Sequence, residues 1–473
     1  MTEPPSSRTE PAPPGNSFLA GAGGFLSDLA ASARDLPGGF VAPRRPSGLR
    51  PRPALLASEA RWLWALLGLA ILFHQAYFWT GRALFRQAGP TIAETSDALY
   101  GWDIPRVVLD LTERGENRRS NVHPLFVVWG KPLGLFFRHV VGLAPYTSAL
   151  AAAALAAALG VAMMALLARM LGAQGPEATL AAAVYGATTT HAFLGSIPET
   201  GAFSILSVLF VYLLGAHALS HAGASPLLWI ASGVFSYGNA VTNVLKNAFG
   251  FFLTEPARGG ARGLLGRTAA YLTVVVTLGL GLSLAVGSSL DMWRDRWVAM
   301  PSQRGTDLED LPTHMLRSFF LYSFVAPTPR LAWADLTIAG VRKTGPIVNF
   351  NDARYERGPG LLALAWALAL ALGVGLALRR GQPAEIRALG LVAACLAWDF
   401  LFFSRYYVPI EGVFVWSPHY VVSVFVPFLF VAAAISRLPP RPRLAADALL
   451  ALFLIGQAAN NLSAILESGR LLK

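Results

Sequence analysis

The chain has 473 residues, of which 54% are hydrophobic and 14% charged, and its formal net charge is +11. That balance excludes a soluble globular domain and leaves room for about eleven spans of the ~20 apolar residues a bilayer requires. The positive excess sits in short loops between apolar runs, which points away from nucleic acid, and the lone Cys395 rules out an internal disulfide.

Residues 1–58 are rich in Pro, Gly, Ser and Arg and read as a disordered cytoplasmic tail, with a short amphipathic helix over 18–33 as the alternative. No cleavable signal peptide is expected, because the first apolar run begins only near Trp62 and is too long for one. Residues 59–473 form the membrane domain. Candidate spans are 61–80, 146–170, 176–195, 198–219, 225–240, 241–254, 264–288, 359–379, 386–404, 419–436 and 444–466. The fold expected is therefore an all-α polytopic bundle of about eleven transmembrane helices.

The loop charges orient it. Loops 379–388, 437–443 and 255–267 carry Arg379, Arg380, Arg387, Arg437, Arg441, Arg443, Arg258, Arg262 and Arg267 against only Glu385 and Glu255. They are expected to be cytoplasmic. The outer face then collects loop 81–145, the turn SIPET at 196–200, the long loop 289–358 and the segment 405–420. Segment 123–143 is apolar, but Lys131, Pro132 and Arg138 interrupt it, so it is expected to lie at the outer interface as a short helix.

Chemistry is sought in these outer segments. Asp97, just past the first span, is placed to act as a general base at the water–lipid boundary; its bland reading is a loop acid or helix N-cap. Asp103 competes with it. Lys131 in an apolar helix needs either a phosphate contact or snorkelling. Glu199, in the 196–200 turn, is a second candidate acid or a helix-start carboxylate. Asn239, Thr242, Asn243, Lys246 and Asn247 crowd the centre of an interrupted apolar run and suggest the wall of a polar cavity. Asp399 lies near the outer end of its span. Arg405, Tyr406, His419 and Tyr420 are a candidate phosphate-binding cluster, with an interfacial aromatic belt as the alternative. His191, His217 and His221 have no metal-ligand spacing, and Walker, GxSxG, HExxH and CxxC motifs are missing.

This layout resembles the GT-C superfamily of membrane glycosyltransferases, of the aminoarabinose and protein-mannose transferase type. Asp97 and Tyr100 form a D-x-x-Y pattern after the first span, and His123-Pro124-Leu125-Phe126 follows as an HPPL-like motif. Glu199 stands where the family has an acid between two spans. His419-Tyr420 with Pro427, or Arg405-Tyr406, resembles the family's late RY…P element. The sequence departs from the pattern at Leu125 for the second proline, at Asp97-Ala98 for a doubled acid, and at His419 where Arg is usual.

The resemblance implies transfer of a sugar, with inversion, from a polyprenyl-phosphate donor to an acceptor hydroxyl. The acceptor is a glycan, lipid or protein, and the reaction occurs at the outer, periplasmic face of a bacterial-type inner membrane. Asp97 is implied as the catalytic base with Glu199 as a second acid. Tyr100, Asp103, His123, Lys131, Arg138, Asn243, Lys246, Arg405, Tyr406, His419 and Tyr420 are implied in substrate binding. No metal ligands are assigned, and a divalent ion stays open as a cofactor. The alternative from another class is a multi-span lipid or solute transporter or flippase, with the interrupted run as its binding site.

Overall fold

The computed structural model describes residues 17–34, 53–94, 98–100, 103–115, 123–221, 223–256, 260–287, 311–338, 341–350, 353–405, 414 and 416–473. It is a helical bundle. In chain order the helices are α1 (Ser17–Arg34), α2 (Pro53–Glu94), α3 (Ile104–Thr112), α4 (Phe126–Leu135), α5 (Pro145–Met170), α6 (Gly175–Gly186), α7 (Thr189–Gly195) and α8 (Gly201–His221). There follow α9 (Pro226–Asn239), α10 (Asn243–Thr254), α11 (Gly260–Ala285), α12 (Leu311–Arg317), α13 (Arg357–Arg380), α14 (Pro383–Arg405), α15 (Ser417–Ile435) and α16 (Pro440–Leu471).

Among the described residues, eight helices are long and apolar enough to cross a membrane: Arg61–Gly89 within α2, then α5, α8, α11, α13, Pro383–Ser404 within α14, α15 and α16. They mark a polytopic integral membrane protein. Three of the expected spans take another form. Segment 176–195 divides into α6 and α7, while 225–240 and 241–254 become the short helices α9 and α10.

Side-chain size sorts the long helices. The apolar window of α15 is 94% buried and that of α5 is 72% buried, whereas α13 and α16 reach only 22%. Helix α5 is rich in alanine, and Ala149, Ala152, Ala153, Ala156 and Ala157 are all buried, so neighbouring backbones approach closely. Helix α13 instead turns Leu361, Leu364, Leu368 and Leu372 outward at helical spacing, as a lipid-facing stripe does. On its inner side, a Cβ at Gly373 would lie 2.0 Å from the Pro427 carbonyl oxygen, so that crossing requires glycine.

The bundle has two chemically different ends. At one, Glu177 pairs with Arg443, Gln174 N–H donates to Ser436 Oγ at 2.9 Å, and Arg169 lies 4.3 Å over the Trp62 ring. Helix direction brings loops 379–388 and 437–443 and the described part of 255–267 to this end, with Arg379, Arg380, Arg387, Arg437, Arg441, Arg443, Arg262 and Arg267. At the other end His123 meets Thr200, and His419 meets Asn243. We call these the Glu177 end and the His123 end.

Helices α9 and α10 form an antiparallel hairpin. Glu255, after α10, accepts from Ala224 N and Trp229 Nε1, both at 2.8 Å. Midway, Ser232 Oγ donates to Asn247 Oδ1 at 2.9 Å. The tip, residues 240–242, therefore points to the His123 end.

Segment 123–143 enters and leaves at that same end. After α4 comes a π-helical turn, Phe136–Val140, and Arg138 donates to the Thr112 carbonyl at 2.7 Å and pairs with Glu113. Tyr146, at the start of α5, then stacks 4.0 Å from Phe85 near the end of α2.

Two features depart from the sequence reading. Residues 17–34, inside the tail expected to be disordered, form α1, which docks on α11. Phe25 is buried between the Phe251 and Tyr271 rings, and Asp28 pairs with Arg267 at 2.9 Å. The apolar side of this helix finds an aromatic pocket that a composition argument cannot see. In the long loop 289–358, within a fold expected to be all-α, β1 (Arg330–Ile338) and β2 (Val341–Asn349) pair as an antiparallel ribbon. Val348 also exchanges backbone hydrogen bonds with Ala98 and Tyr100, at 2.9 and 2.8 Å, which ties the two long loops together.

The α6–α7 break is held by Asn461 of α16. Its Nδ2 donates to the Ala187 carbonyl at 2.7 Å and to the Phe324 carbonyl at 2.9 Å, and its Oδ1 accepts from Ala326 N at 2.8 Å. Thr189 N and Thr190 N donate in turn to the Phe324 and Ser323 carbonyls. Asn461→Ala orphans two buried backbone groups, the Ala187 carbonyl and the Ala326 N–H, at roughly 1–3 kcal/mol for each group left unsatisfied, while the Phe324 carbonyl keeps Thr189 N and Gln457 Nε2 as donors. The expected result is a lowered unfolding midpoint in detergent, greater than that of exposed Leu462→Ala; equal midpoints would contradict the role given to Asn461.

Candidate functional site

The polar core of the His123 end is built from five separate segments. The 196–200 turn joins α7 to α8. Glu199 Oε1 accepts from Thr200 N at 2.9 Å and from Thr200 Oγ1 at 2.8 Å. Its carboxylate lies at the start of α8, where unpaired N–H groups and the helix dipole favour negative charge. The helix-start reading and the active-site reading of Glu199 are thus compatible in one geometry.

His123 reaches this turn from the start of the α4 segment. Its Nε2 lies 3.1 Å from Thr200 Oγ1, and its Nδ1 is hydrogen-bonded to the Asn239 carbonyl. That carbonyl is available because α9 stops at Asn239, with Ala240 extended at φ −165°, ψ 115°. Ser204 Oγ donates to the same oxygen at 3.2 Å, and Leu125 N donates to the adjacent Gly238 carbonyl at 3.0 Å.

From α10, Asn243 Nδ2 donates to Ser207 Oγ at 3.2 Å, and its Oδ1 accepts from His419 Nδ1 at 3.0 Å. One turn on, Lys246 Nζ donates to the His419 carbonyl at 2.6 Å and pairs with Asp399 of α14 at 2.8 Å. The Lys246 and Asp399 side chains are 0% and 2% exposed, so this ion pair lies within packed helices. Trp398 Nε1 donates to the Thr242 carbonyl at 3.2 Å and fixes the hairpin tip against α14.

The structure thus brings together Glu199, His123, Asn243, Lys246 and His419. Sequence reasoning missed Thr200, which bridges His123 to Glu199, and the serines Ser204 and Ser207. The available signal was a threonine opening an apolar helix with serines at one- and two-turn spacing on one face.

Other predicted residues lie elsewhere. Tyr100, at φ 53°, is enclosed by Phe193, Phe350 and Phe414, and its hydroxyl is 2.9 Å from Ser468 Oγ. Burial pushes its hydroxyl pKa up, and its surroundings are those of a structural anchor. Asp103 pairs with Arg106 at 3.0 Å. Arg138 is engaged by Glu113, and Lys131 is half-buried on α4. Tyr420 stacks on Phe319 at 3.7 Å and accepts from Ser323 Oγ at 3.3 Å. Asp97, Tyr406 and the Arg405 side chain lie outside the described residues.

Among the described residues, no group of three or more His, Cys, Asp or Glu side chains is placed to hold a metal ion. The site is a hydrogen-bonded cluster with one buried cation, two imidazoles and two carboxylates. Compared with known protein families, curated proteins and solved structures, the chain has no match.

Proposed function

We propose that the protein is a membrane glycosyltransferase that moves a sugar from a polyprenyl-phosphate donor to an acceptor hydroxyl, with inversion. One observation supports this reading above the others. His123 and Glu199, far apart in sequence, meet through Thr200 at the end of the bundle that also gathers the two long loops. Buried polar groups with convergent donors are what a polar sugar needs at the edge of an apolar bilayer.

In this mechanism Asp97 takes the proton from the acceptor hydroxyl. The acceptor oxygen attacks the anomeric carbon as the bond to the polyprenyl phosphate breaks. Arg405 and Lys131 meet the leaving phosphate, because prepositioned cations act most strongly where water is excluded. Arg138, which pairs with Glu113, is the third candidate. Incubating the protein in vesicles with a panel of polyprenyl-phosphate sugars tests the reading. Release of polyprenyl phosphate with one of them supports it; none across the panel, with any acceptor fraction, contradicts it.

We place the site on the outer face of a bacterial-type inner membrane. The arginine-rich loops share the Glu177 end, which makes that end cytoplasmic by the positive-inside rule. With α6–α7 and the two arms of the α9–α10 hairpin counted beside the eight long helices, eleven segments enter the bilayer. A membrane-impermeant thiol reagent added outside should label Gly305→Cys and miss Pro440→Cys. The opposite pattern reverses the orientation and removes the site from the outer face.

A second reading is a transporter or flippase, and the buried Lys246–Asp399 pair beside a helix break favours it, since such pairs mark ion or proton pathways. Movement of a labelled lipid or solute across vesicles, without bond cleavage, distinguishes the two.

A further inference from the structure

A carbonyl oxygen can only accept, so the bond to Asn239 keeps a proton on His123 Nδ1 in every charge state. Any titration of this ring therefore occurs at Nε2. Nε2 lies 3.1 Å from Thr200 Oγ1, and Glu199 Oε1 lies 2.8 Å from the same oxygen. Thr200 has a single hydroxyl proton and two neighbours that can accept it. With a neutral ring it serves Nε2 or Glu199, never both. With a proton on Nε2, the ring donates to Thr200 and Thr200 donates to Glu199, so each donor in the chain has an acceptor.

We propose that His123, Thr200 and Glu199 form a proton-binding site, in which His123 Nε2 takes up and returns one proton while the Thr200 hydroxyl turns between Nε2 and Glu199. The balance is simple. The incoming proton comes from water or a substrate hydroxyl and ends on Nε2. Thr200 keeps its own proton and Glu199 stays a carboxylate. Among the described charged groups, Glu199 from the turn favours the imidazolium, Lys246 of α10 opposes it, and Asp399 of α14 offsets Lys246, while His419 of α15 accompanies them as a second imidazole. The charged ring adds a cation to the end where the donor phosphate is proposed to bind; that use rests on the glycosyl-transfer reading, whereas proton binding does not.

The test is nitrogen NMR of the full chain, labelled with 15N-histidine, in lipid vesicles across pH. His123→Asn identifies the His123 signals, and the other seven of the eight histidines report whether each variant is folded. The expected result is an Nδ1 that stays protonated and an Nε2 that titrates. Glu199→Gln should lower the Nε2 midpoint by at least about one pH unit, the usual size of a close opposite-charge effect, and Thr200→Val should lower it by removing the acceptor of the Nε2 proton. Thr200→Ser should restore it. A midpoint unmoved in both variants, or loss of the proton from Nδ1, overturns the proposal whatever the enzyme's activity proves to be.

Discussion

Lys246→Met should be among the most destabilising single substitutions in this chain, by about 3–5 kcal/mol, the usual cost of removing one partner of a buried ion pair. Lys246 has no water to fall back on, and neither has Asp399, since the two side chains are 0% and 2% exposed. Removing the ammonium leaves the Asp399 carboxylate in packed helices without a counterion. It also strips the His419 carbonyl of its 2.6 Å donor, which loosens the first turn of α15. Removing both charges, in Lys246→Met with Asp399→Leu, should recover most of the loss, because two apolar side chains fill the space without uncompensated charge. Unfolding midpoints in mixed micelles report both. A single variant no less stable than the double would show that the pair contributes nothing to the packed state.

Asp97→Asn should keep donor binding and lower turnover by at least the ~10²-fold typical of losing a general base. The substitution preserves shape and removes the proton acceptor. Asp103→Asn is the matched comparison. Asp103 is a buried carboxylate already paired with Arg106 at 3.0 Å, so its loss should affect the start of α3 more than the reaction. Near-normal turnover in Asp97→Asn would pass the role to Glu199, which the structure sets beside a threonine and an imidazole.

The arrangement of charge along the chain was readable in advance, because arginines in short loops and leucines in long runs obey a one-dimensional rule. The centre of the bundle was less so. Helices α5 and α13 both read as spans, yet α5 lies inside and α13 faces lipid. The distinction is carried by alanine against leucine on the exposed face, a pattern that only packing interprets. The polar interruption around 239–247 was visible, but not its partners: His123 lies 116 positions from Asn239, and His419 lies 176 from Asn243. The α6–α7 break has a weak local signal in Thr188, which caps α7 by accepting from His191 N at 3.4 Å. Its remaining backbone groups are satisfied by the 323–326 loop and Asn461, which supply hydrogen bonds from the far side of the chain. Such compensation by distant residues leaves no trace in a window of twenty.

The hairpin of α9 and α10 sets a depth. Fourteen residues of helix rise about 21 Å and twelve about 18 Å, against a hydrocarbon core of about 30 Å. Both arms run from the Glu177 end, and arms that began at one face of the hydrocarbon core and followed its normal would leave the tip roughly 9 Å short of the other face. On that geometry the imidazoles and the Asn239 carbonyl would be recessed, at the level of lipid acyl chains rather than headgroups. A ligand with a lipid tail reaches that level sideways from the bilayer, whereas a fully water-soluble one must descend from above. Inserting a single helical turn into each arm would raise the tip by about 5 Å and shift the balance between those two routes.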